Sequence, residues 1–241
     1  MSNKELFKLA QDAAYDAGSF LRDLKSSEKK IYSEEGKDIK LEIDRLTEER
    51  IKSSLSQTSL PILGEEFGGE EVADGKTMWV IDPLDGTSNY FRNLDQCCVS
   101  IALLNGMQGE IGVIYNFNTN EMFCALRGHG AYLNDEQISV SDVSERSKGY
   151  LTTGFPSSKS IDPDQEFLSF LEEWRKVRMF GSAAISCAYV ASGKCDLYSE
   201  TGVYLWDFAA GLCLISEAGG ITKYQKYDDN RYFVEFSNGL L

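Results

Sequence analysis

Histidine is almost absent from this sequence, and its scarcity excludes several kinds of active site. The 241 residues include a single histidine, His129, which lies between two glycines. That setting predicts an exposed turn. A Ser-His-Asp or Cys-His mechanism would depend on this residue alone, and zinc sites built from two or more histidines are excluded.

Cysteine is present, but not at the spacing of a metal or redox motif. None of the six cysteines forms a C-x-x-C pair. The sequence also shows no secretory leader and no apolar run of ~18 residues. We therefore expect reduced, buried cysteines in a cytoplasmic protein without membrane association. The six are Cys97, Cys98, Cys124, Cys187, Cys195 and Cys213.

Basic residues and prolines are also scarce. The chain has 24 Lys and Arg against 38 Asp and Glu, so its net charge is −14. This charge opposes direct binding to nucleic acid. With 42% hydrophobic residues and only 4 prolines, the composition predicts a folded core rather than disorder.

Hydrophobic periodicity predicts helices first, then antiparallel strands, then alternating strands and helices. Helical spacing covers residues 3–25 and about 44–56. A strand at 79–81 closes at Asp82-Pro83, and further strands follow to residue 126. This order predicts an α+β arrangement that passes into α/β. Later elements are predicted as strands at 150–153, 176–180, 195–199, 221–224 and 232–236 and helices at 164–175, 183–191 and 207–218.

Six acidic residues stand where apolar strands end or apolar helices begin. Residues 79–89 read WVIDPLDGTSN, so one strand delivers two carboxylates three positions apart, followed by small residues with free backbone N–H groups. Hard cations prefer such oxygen ligands, and the N–H groups suit an anion. Together they indicate phosphoryl chemistry. The six are Asp44, Glu65, Glu66, Asp82, Asp85 and Asp207.

Each acidic residue also has a purely structural interpretation. Asp-Pro and Asp-Gly are frequent turn dipeptides. Asp207 precedes an apolar helix, where an acid can simply cap the first turn. The single motifs therefore leave both alternatives open.

Taken together, the motifs resemble the inositol monophosphatase family. The resemblance covers nearly the whole chain, in order and at family-like spacing. The three signature segments are LGEE at 63–66, WVIDPLDGT at 79–87 and WDFAAG at 206–211. Further matching segments are GVIY at 112–115, RGHGAY at 127–132, GSAA at 181–184 and EAGG at 217–220.

The resemblance implies a fold, an activity and an assembly. The fold would be a layered α-β-α-β-α sandwich of the sugar-phosphatase type. An N-terminal α+β lobe (1–145) would carry most metal ligands, and a C-terminal α/β lobe (146–241) would pack against it. The protein would be a homodimer that hydrolyses a phosphate monoester of a small polyol, with inositol monophosphate as the expected substrate.

The resemblance also implies a metal site. Glu65, Asp82 and the carbonyl of Leu84 would bind one Mg²⁺, and Asp82, Asp85 and Asp207 a second. The cations would activate the attacking water and neutralise charge on the phosphoryl group.

Other residues would handle the phosphate and the water. The N–H groups of Gly86 and Thr87 would hold the phosphate. The Thr87 hydroxyl, oriented by Asp44, would position the water, and Glu66 would orient the site. Substrate contacts would come from Gly181, Ser182, Ala183, Glu200 and Asp207, although Glu200 could equally be an exposed loop acid.

The sequence departs from the family pattern in one loop. Leu41 replaces an expected Thr, and Ser33 replaces a frequent Lys. A third, weaker metal is therefore in doubt, which leaves two or three Mg²⁺ per site. Alternative substrates are 3′(2′),5′-nucleoside bisphosphates, histidinol phosphate and sugar (bis)phosphates. A non-catalytic relative that binds a partner is a further alternative.

Overall fold

The chain forms helices and strands in the order that the hydrophobic pattern indicates. The computed structural model describes residues 1–25, 31–35, 38–155, 165–228 and 230–241. The helices within these ranges are α1 (Asn3–Leu24), α2 (Glu42–Leu55), α3 (Thr87–Phe91), α4 (Gln165–Glu172), α5 (Ala183–Ala191) and α6 (Leu205–Glu217). The strands are β1 (Ile31–Glu35), β2 (Asp38–Leu41), β3 (Ile62–Gly64), β4 (Thr77–Asp85), β5 (Cys98–Asn105), β6 (Gln108–Asn116), β7 (Glu121–Leu126), β8 (Ala131–Leu133), β9 (Glu136–Ile138), β10 (Tyr150–Thr153), β11 (Lys176–Arg178), β12 (Leu197–Tyr204), β13 (Ile221–Lys226) and β14 (Arg231–Ser237).

The strands form two large sheets and one small one. Strands β3 to β9 make a seven-stranded sheet in sequence order, antiparallel except for the pair β3–β4. The five-stranded sheet has the order β11-β10-β12-β14-β13, in which β10 pairs in parallel with both neighbours. Strands β1 and β2 pair with each other in antiparallel orientation.

Helices cover both large sheets and separate them. Helices α1 and α2 pack on the outer face of the seven-stranded sheet, while α5 and α6 are buried between the two large sheets. On the far side, Phe170 of α4 and the adjoining Trp174 pack against Leu151 and Leu197 of the five-stranded sheet. The layers therefore follow the order α-β-α-β-α, which confirms the expected sandwich. Burial of apolar area at roughly 25 cal/mol per Å² holds the layers together.

Two glycines let α6 lie directly on β6. A Cβ at Gly112 would stand 2.3 Å from the Ala210 carbonyl oxygen, and one at Gly109 would stand 2.6 Å from the Cys213 nitrogen. Any larger residue would push the helix away from the sheet. This close backbone contact fixes α6, whose first turn carries Asp207.

Two strands run further than the sequence indicates. Strand β4 continues past Asp82-Pro83 to Asp85, because its pairing with β5 resumes after a register shift where Pro83 has no N–H to donate. Strand β12 continues beyond Ser199, so Glu200 lies inside a strand that pairs with β14. The interpretation of Glu200 as a loop acid is therefore wrong. Asp164, the expected start of a helix, lies outside the described residues.

All six cysteines are buried and free, as predicted. The seven-stranded sheet uses residues 62–138 and the five-stranded sheet residues 150–237. The boundary at 145/146 stays a prediction. Within the described ranges, no helix combines the length and apolarity needed to cross a bilayer.

Candidate active site

The end of β4 brings two carboxylates and a carbonyl together. Asp82 and Asp85 are 2% and 8% exposed and lie on either side of the register shift. Asp82 Oδ1 accepts the N–H of Leu84 at 3.0 Å, and the Leu84 carbonyl accepts the Thr87 hydroxyl at 3.0 Å. These bonds hold the turn in one conformation.

The residues directly after this turn are constrained by the backbone conformation and by close neighbours. Gly86 has φ +89°, and a Cβ there would stand 2.7 Å from the Gln96 carbonyl oxygen. Thr87 then opens α3, so the helix begins beside the two carboxylates. The Asn89 side-chain amide donates to the carbonyls of Gln96 (2.6 Å) and Phe180 (2.7 Å). Asn89 thereby ties the turn at the end of β4 to the segment that precedes α5.

Two further carboxylates come from other elements. Glu65 is half-buried in the turn that follows β3. Asp207 lies in the first turn of α6, where its Oδ2 accepts the N–H of Tyr204 at 2.7 Å. The capping contact expected of an acid at this position is therefore present.

The pKa values show that the four carboxylates share one environment. Burial raises the pKa of Asp82 well above its usual value, and the charges of Glu65, Asp85 and Asp207 raise it further. Burial, followed by the charges of Asp85 and Glu65, likewise raises the pKa of Asp207. The pKa of Asp85 is raised by burial, against the opposing effect of its hydrogen bonds. The fold therefore concentrates negative charge that a cation would offset.

Asp85 is also bonded to the start of α5. Its Oδ2 accepts the Ser182 hydroxyl and the N–H of Ala184 (2.7 Å), and the Cys98 thiol lies 3.8 Å away. The Ser182 oxygen in turn accepts the N–H of Ile185 at 3.1 Å and caps the helix. Ser182 is thus occupied by Asp85 and the helix, whereas the adjacent Gly181 is exposed and Ala183 is half-buried.

Glu200 faces the same region from β12. Its Oε2 accepts the Tyr198 hydroxyl at 3.0 Å. A Cβ at Gly154 would stand 2.4 Å from the Glu200 carboxylate, so a side chain at position 154 would displace that carboxylate. Burial raises the pKa of Glu200 to about 7, with a smaller contribution from the Asp85 charge.

Two further predicted residues, Asp44 and Glu66, lie on α2 and in the turn that follows β3. Asp44, on α2, is 2% exposed, and its Oδ2 accepts the N–H of Leu41 at 2.6 Å. The pairing of Asp44 with Thr87 stays a prediction. Glu66 is half-buried, and Ser33 is exposed.

Sequence reasoning missed two residues that organise these turns. One is Asn89, described above, and the other is Glu48 of α2, which is fully buried and accepts backbone N–H groups from the turn that carries Glu65. Glu48 follows Asp44 by four positions, so both lie on one helix face. That spacing was visible in the sequence, but the backbone partners of Glu48 were not.

The donor set fits a hard divalent cation. Across the residues that the structure describes, no three His, Cys, Asp or Glu side chains already stand in the geometry of a metal site. Asp82, Asp85 and Asp207 instead each direct one oxygen to a backbone N–H. The donors are nevertheless all oxygens, and neighbouring carboxylates add to the effect of burial in raising the pKa values of Asp82 and Asp207, which a cation would offset.

A layered α-β-α-β-α fold with a cluster of carboxylates around the end of one strand defines a sugar-phosphatase-type protein. The model of the inositol monophosphatase family matches residues 2–234, and the chain belongs to that family. The family belongs to a phosphatase superfamily, and its members use metal ions.

Solved structures and curated relatives agree with this assignment. The structure of inositol monophosphatase from Anabaena (Nostoc) sp. PCC 7120 has a TM-score of 0.85 and 33% identity, covering 98% of this chain and 92% of that one. An inositol-1-monophosphatase of Mesorhizobium japonicum is 36% identical over 227 residues, 91% of this chain and 85% of that one.

Other relatives carry a different name. Nus factor SuhB of Pasteurella multocida is 39% identical over 184 residues, 74% of this chain and 69% of its own length. Nus factor SuhB of Haemophilus influenzae is 40% identical over 163 residues, 66% of this chain and 61% of its own length. The match thus spans less than two thirds of the Haemophilus protein.

Proposed function

We propose that this chain hydrolyses a phosphate monoester of a small polyol, with inositol monophosphate as the first candidate, and that it requires two or three Mg²⁺. The observation that carries the proposal is the carboxylate of Asp82, whose pKa is raised by burial and raised further by the charges of Glu65, Asp85 and Asp207. Four carboxylates, two of them buried and two half-buried, are seldom brought together unless cations are to be bound. The family membership supports the same activity.

The carboxylates and one carbonyl would hold the cations. Glu65, Asp82 and the Leu84 carbonyl form one donor group, and Asp82, Asp85 and Asp207 form the other. Bound Mg²⁺ would supply an activated water and neutralise phosphoryl charge.

The turn after β4 would hold the phosphate and the water. Gly86 and Thr87 present N–H groups at the start of α3, and these would donate to the phosphate oxygens. The Thr87 hydroxyl donates to the Leu84 carbonyl, so its oxygen can still accept a hydrogen bond from the attacking water. Asp44 would orient Thr87, and Glu66 would orient the acidic turn.

Substrate recognition would fall to residues on the opposite side of the site. Glu200 would accept a hydrogen bond from a hydroxyl of the alcohol, as would Asp207. Gly181 and Ala183 would contribute backbone contacts, whereas Ser182 would act mainly through Asp85. Nucleoside bisphosphates, histidinol phosphate and sugar (bis)phosphates remain the alternative substrates.

A substrate panel tests the proposal. The purified protein is assayed with inositol 1-phosphate, adenosine 3′,5′-bisphosphate, histidinol phosphate and fructose 1,6-bisphosphate, with Mg²⁺ and after exhaustive chelation. We expect the highest kcat/KM for inositol 1-phosphate, no activity after chelation, and recovery on adding Mg²⁺. Glu200→Gln should change kcat/KM unequally among the four substrates, by about 1.5–3 kcal/mol for a hydrogen bond to a charged group. Full activity without metal would contradict the mechanism.

A second candidate function is the binding of a macromolecular partner. Relatives named Nus factor SuhB favour it, because that name denotes a factor rather than an enzyme. The net charge of −14 opposes direct RNA binding, so the partner would be a protein. An inactive Asp85→Asn variant that still restores a cellular defect caused by loss of the protein would favour partner binding.

We also propose that the protein is a cytoplasmic homodimer. Six free, buried cysteines are typical of a reducing compartment. Sedimentation equilibrium at micromolar concentration measures the dimer, and fractionation of the native cell measures the location.

A further inference from the structure

The turn that carries Glu65 is held by a buried carboxylate on α2. Glu48 is 0% exposed. Its Oε2 accepts the N–H of Glu66 at 2.7 Å, and its Oε1 accepts the N–H of Phe67 at 3.2 Å. One side chain thereby binds two consecutive backbone groups directly after Glu65.

Glu48 also has a counter-charge one helical turn further along. Lys52 Nζ lies 3.0 Å from Glu48 Oε1, in an i, i+4 pair. A buried carboxylate is costly unless it is hydrogen-bonded and paired, and Glu48 meets both conditions.

The same face of α2 also contacts the aromatic side chain of the turn, Phe67. The guanidinium of Arg45 lies 4.9 Å from the centre of the Phe67 ring, and the ammonium of Lys52 lies 4.9 Å from the same centre. Arg45, Glu48 and Lys52 are spaced i, i+3 and i+7, which places them on one side of the helix. This face therefore contacts both the backbone and the side chain of the turn.

Contacts of Gly64, the residue before Glu65, also restrict the conformation of the turn. A Cβ at Gly64 would stand 2.1 Å from Glu48 Oε1, so the carboxylate is pressed against this glycine. The N–H of Gly64 donates to the Gly68 carbonyl at 3.2 Å and closes the turn. Glu65 is thus fixed by contacts of the residues on both sides of it.

We propose that Glu48 is a positioning residue. It fixes the backbone at 64–67 so that the Glu65 side chain reaches the cluster of carboxylates that includes Asp82 and Asp207. This inference rests on the proposed function, since it assigns Glu65 to cation binding. Groups that orient a metal ligand typically change metal affinity by about 10–100-fold when they are replaced.

The test compares Mg²⁺ binding by matched variants. Glu48→Gln keeps the size of the side chain but presents an N–H₂ group to one backbone N–H or to Lys52. The control is Glu49→Gln, which alters the adjacent, exposed acid. Glu65→Gln is the reference for loss of the ligand itself. Mg²⁺ affinity is measured from the Mg²⁺-dependent rise in melting temperature of chelator-stripped protein, and kcat and KM are measured in parallel.

We expect Glu48→Gln to weaken Mg²⁺ binding by about 10–100-fold, while Glu49→Gln has no effect. Because Glu48 acts through Glu65, the double variant Glu48→Gln/Glu65→Gln should bind Mg²⁺ no more weakly than Glu65→Gln alone. If Glu48→Gln does not fold, Glu48→Asp withdraws the carboxylate by one methylene and is expected to act in the same direction.

Two results would overturn the inference. One is an unchanged Mg²⁺ affinity in Glu48→Gln with only a lower melting temperature of the metal-free protein. The other is additive loss in the double variant. A wild-type protein with no response to Mg²⁺ would instead refute the proposed function, and this inference with it.

Discussion

Asp207 has an observed helix-capping contact and a proposed cation-binding role, and a single substitution can separate the two. Its carboxylate accepts the Tyr204 N–H at the start of α6, and its charge contributes to the raised pKa of Asp82. An amide at this position keeps a carbonyl oxygen for the N–H but removes the charge. The capping role and the cation-binding role therefore predict different outcomes for one variant.

We expect Asp207→Asn and Asp85→Asn to lower kcat by at least ~10²-fold, because charge stabilisation through a bound metal contributes several kcal/mol. The far-UV circular dichroism spectrum should be unchanged, since backbone contacts of Asp207 can persist in the amide. The measurements are kcat under saturating substrate and the melting temperature. Near-normal turnover by Asp207→Asn would leave that residue only its capping role.

Thr87 and Asp44 provide a second prediction for single residues. If Thr87 orients the attacking water and Asp44 orients Thr87, the two residues act as a unit and their losses do not add. Thr87→Ala and Asp44→Asn should each lower kcat for every phosphate ester in the panel. The double variant should be little worse than the poorer single variant. Additive losses would separate the two residues.

At the scale of elements, one contact joins two of the matching motifs. Glu217, at the end of α6, accepts the N–H groups of Gly128 (2.9 Å), His129 (3.1 Å) and Gly130 (2.8 Å). Three N–H groups on one carboxylate form an anion nest. The RGHGAY and EAGG segments are therefore coupled for a structural reason, and His129 is exposed, as predicted.

This nest predicts an effect on stability without an effect on chemistry. Glu217→Gln should lower the free energy of unfolding by about 1.5–3 kcal/mol, the range for hydrogen bonds to a charged group, while kcat stays unchanged. Glu110→Gln is the matched control, because Glu110 pairs with the half-exposed Arg127 beside the same loop. The loss of a surface pair costs only about 0–1 kcal/mol. Urea unfolding of both variants measures the difference, and equal losses would contradict the nest as a special contact.

The elements also show how far the sequence alone leads. The sequence located α5 at its observed bounds, because a continuous run of small and apolar residues follows Ser182, which caps the helix. Strands β8 and β9 escaped notice because three residues are too few for a period. The extension of β4 to Asp85 depends on pairing with β5, and no local pattern contains that information.

The features of the site likewise fall into those that the sequence could predict and those that depend on tertiary contacts. The strand end at 79–85 predicted that Asp82 and Asp85 lie close together, whereas the grouping of Glu65 with them came only from the resemblance to the family. Asp85 is bonded to Ser182 and Ala184, which follow it by 97 and 99 positions in the sequence. Contacts over such separations come from tertiary packing alone.

At the scale of the whole molecule, the buried thiols report on how completely the layers close. Burial raises the pKa of Cys124 to about 11 and those of Cys97, Cys195 and Cys213 to about 12. Burial also raises the pKa of Cys98 well above its usual value, and nearby Asp85 adds to the effect. The thiolate is the reactive form, so a pKa of about 12 leaves about one thiol in 10⁴ reactive at pH 8.

We therefore expect none of the six thiols to react promptly with a disulfide reagent at pH 8, and all six to react once the protein is unfolded in guanidinium. The slow reaction of native protein should follow the opening of the layers, so its rate measures the population of open states. If Mg²⁺ binds the cluster of carboxylates at the end of β4, the bound cation stabilises the closed molecule and should slow this reaction further. The release of chromophore is followed with and without Mg²⁺, and with chelator as control. Prompt, stoichiometric reaction of a native thiol would show that at least one layer is open at that cysteine.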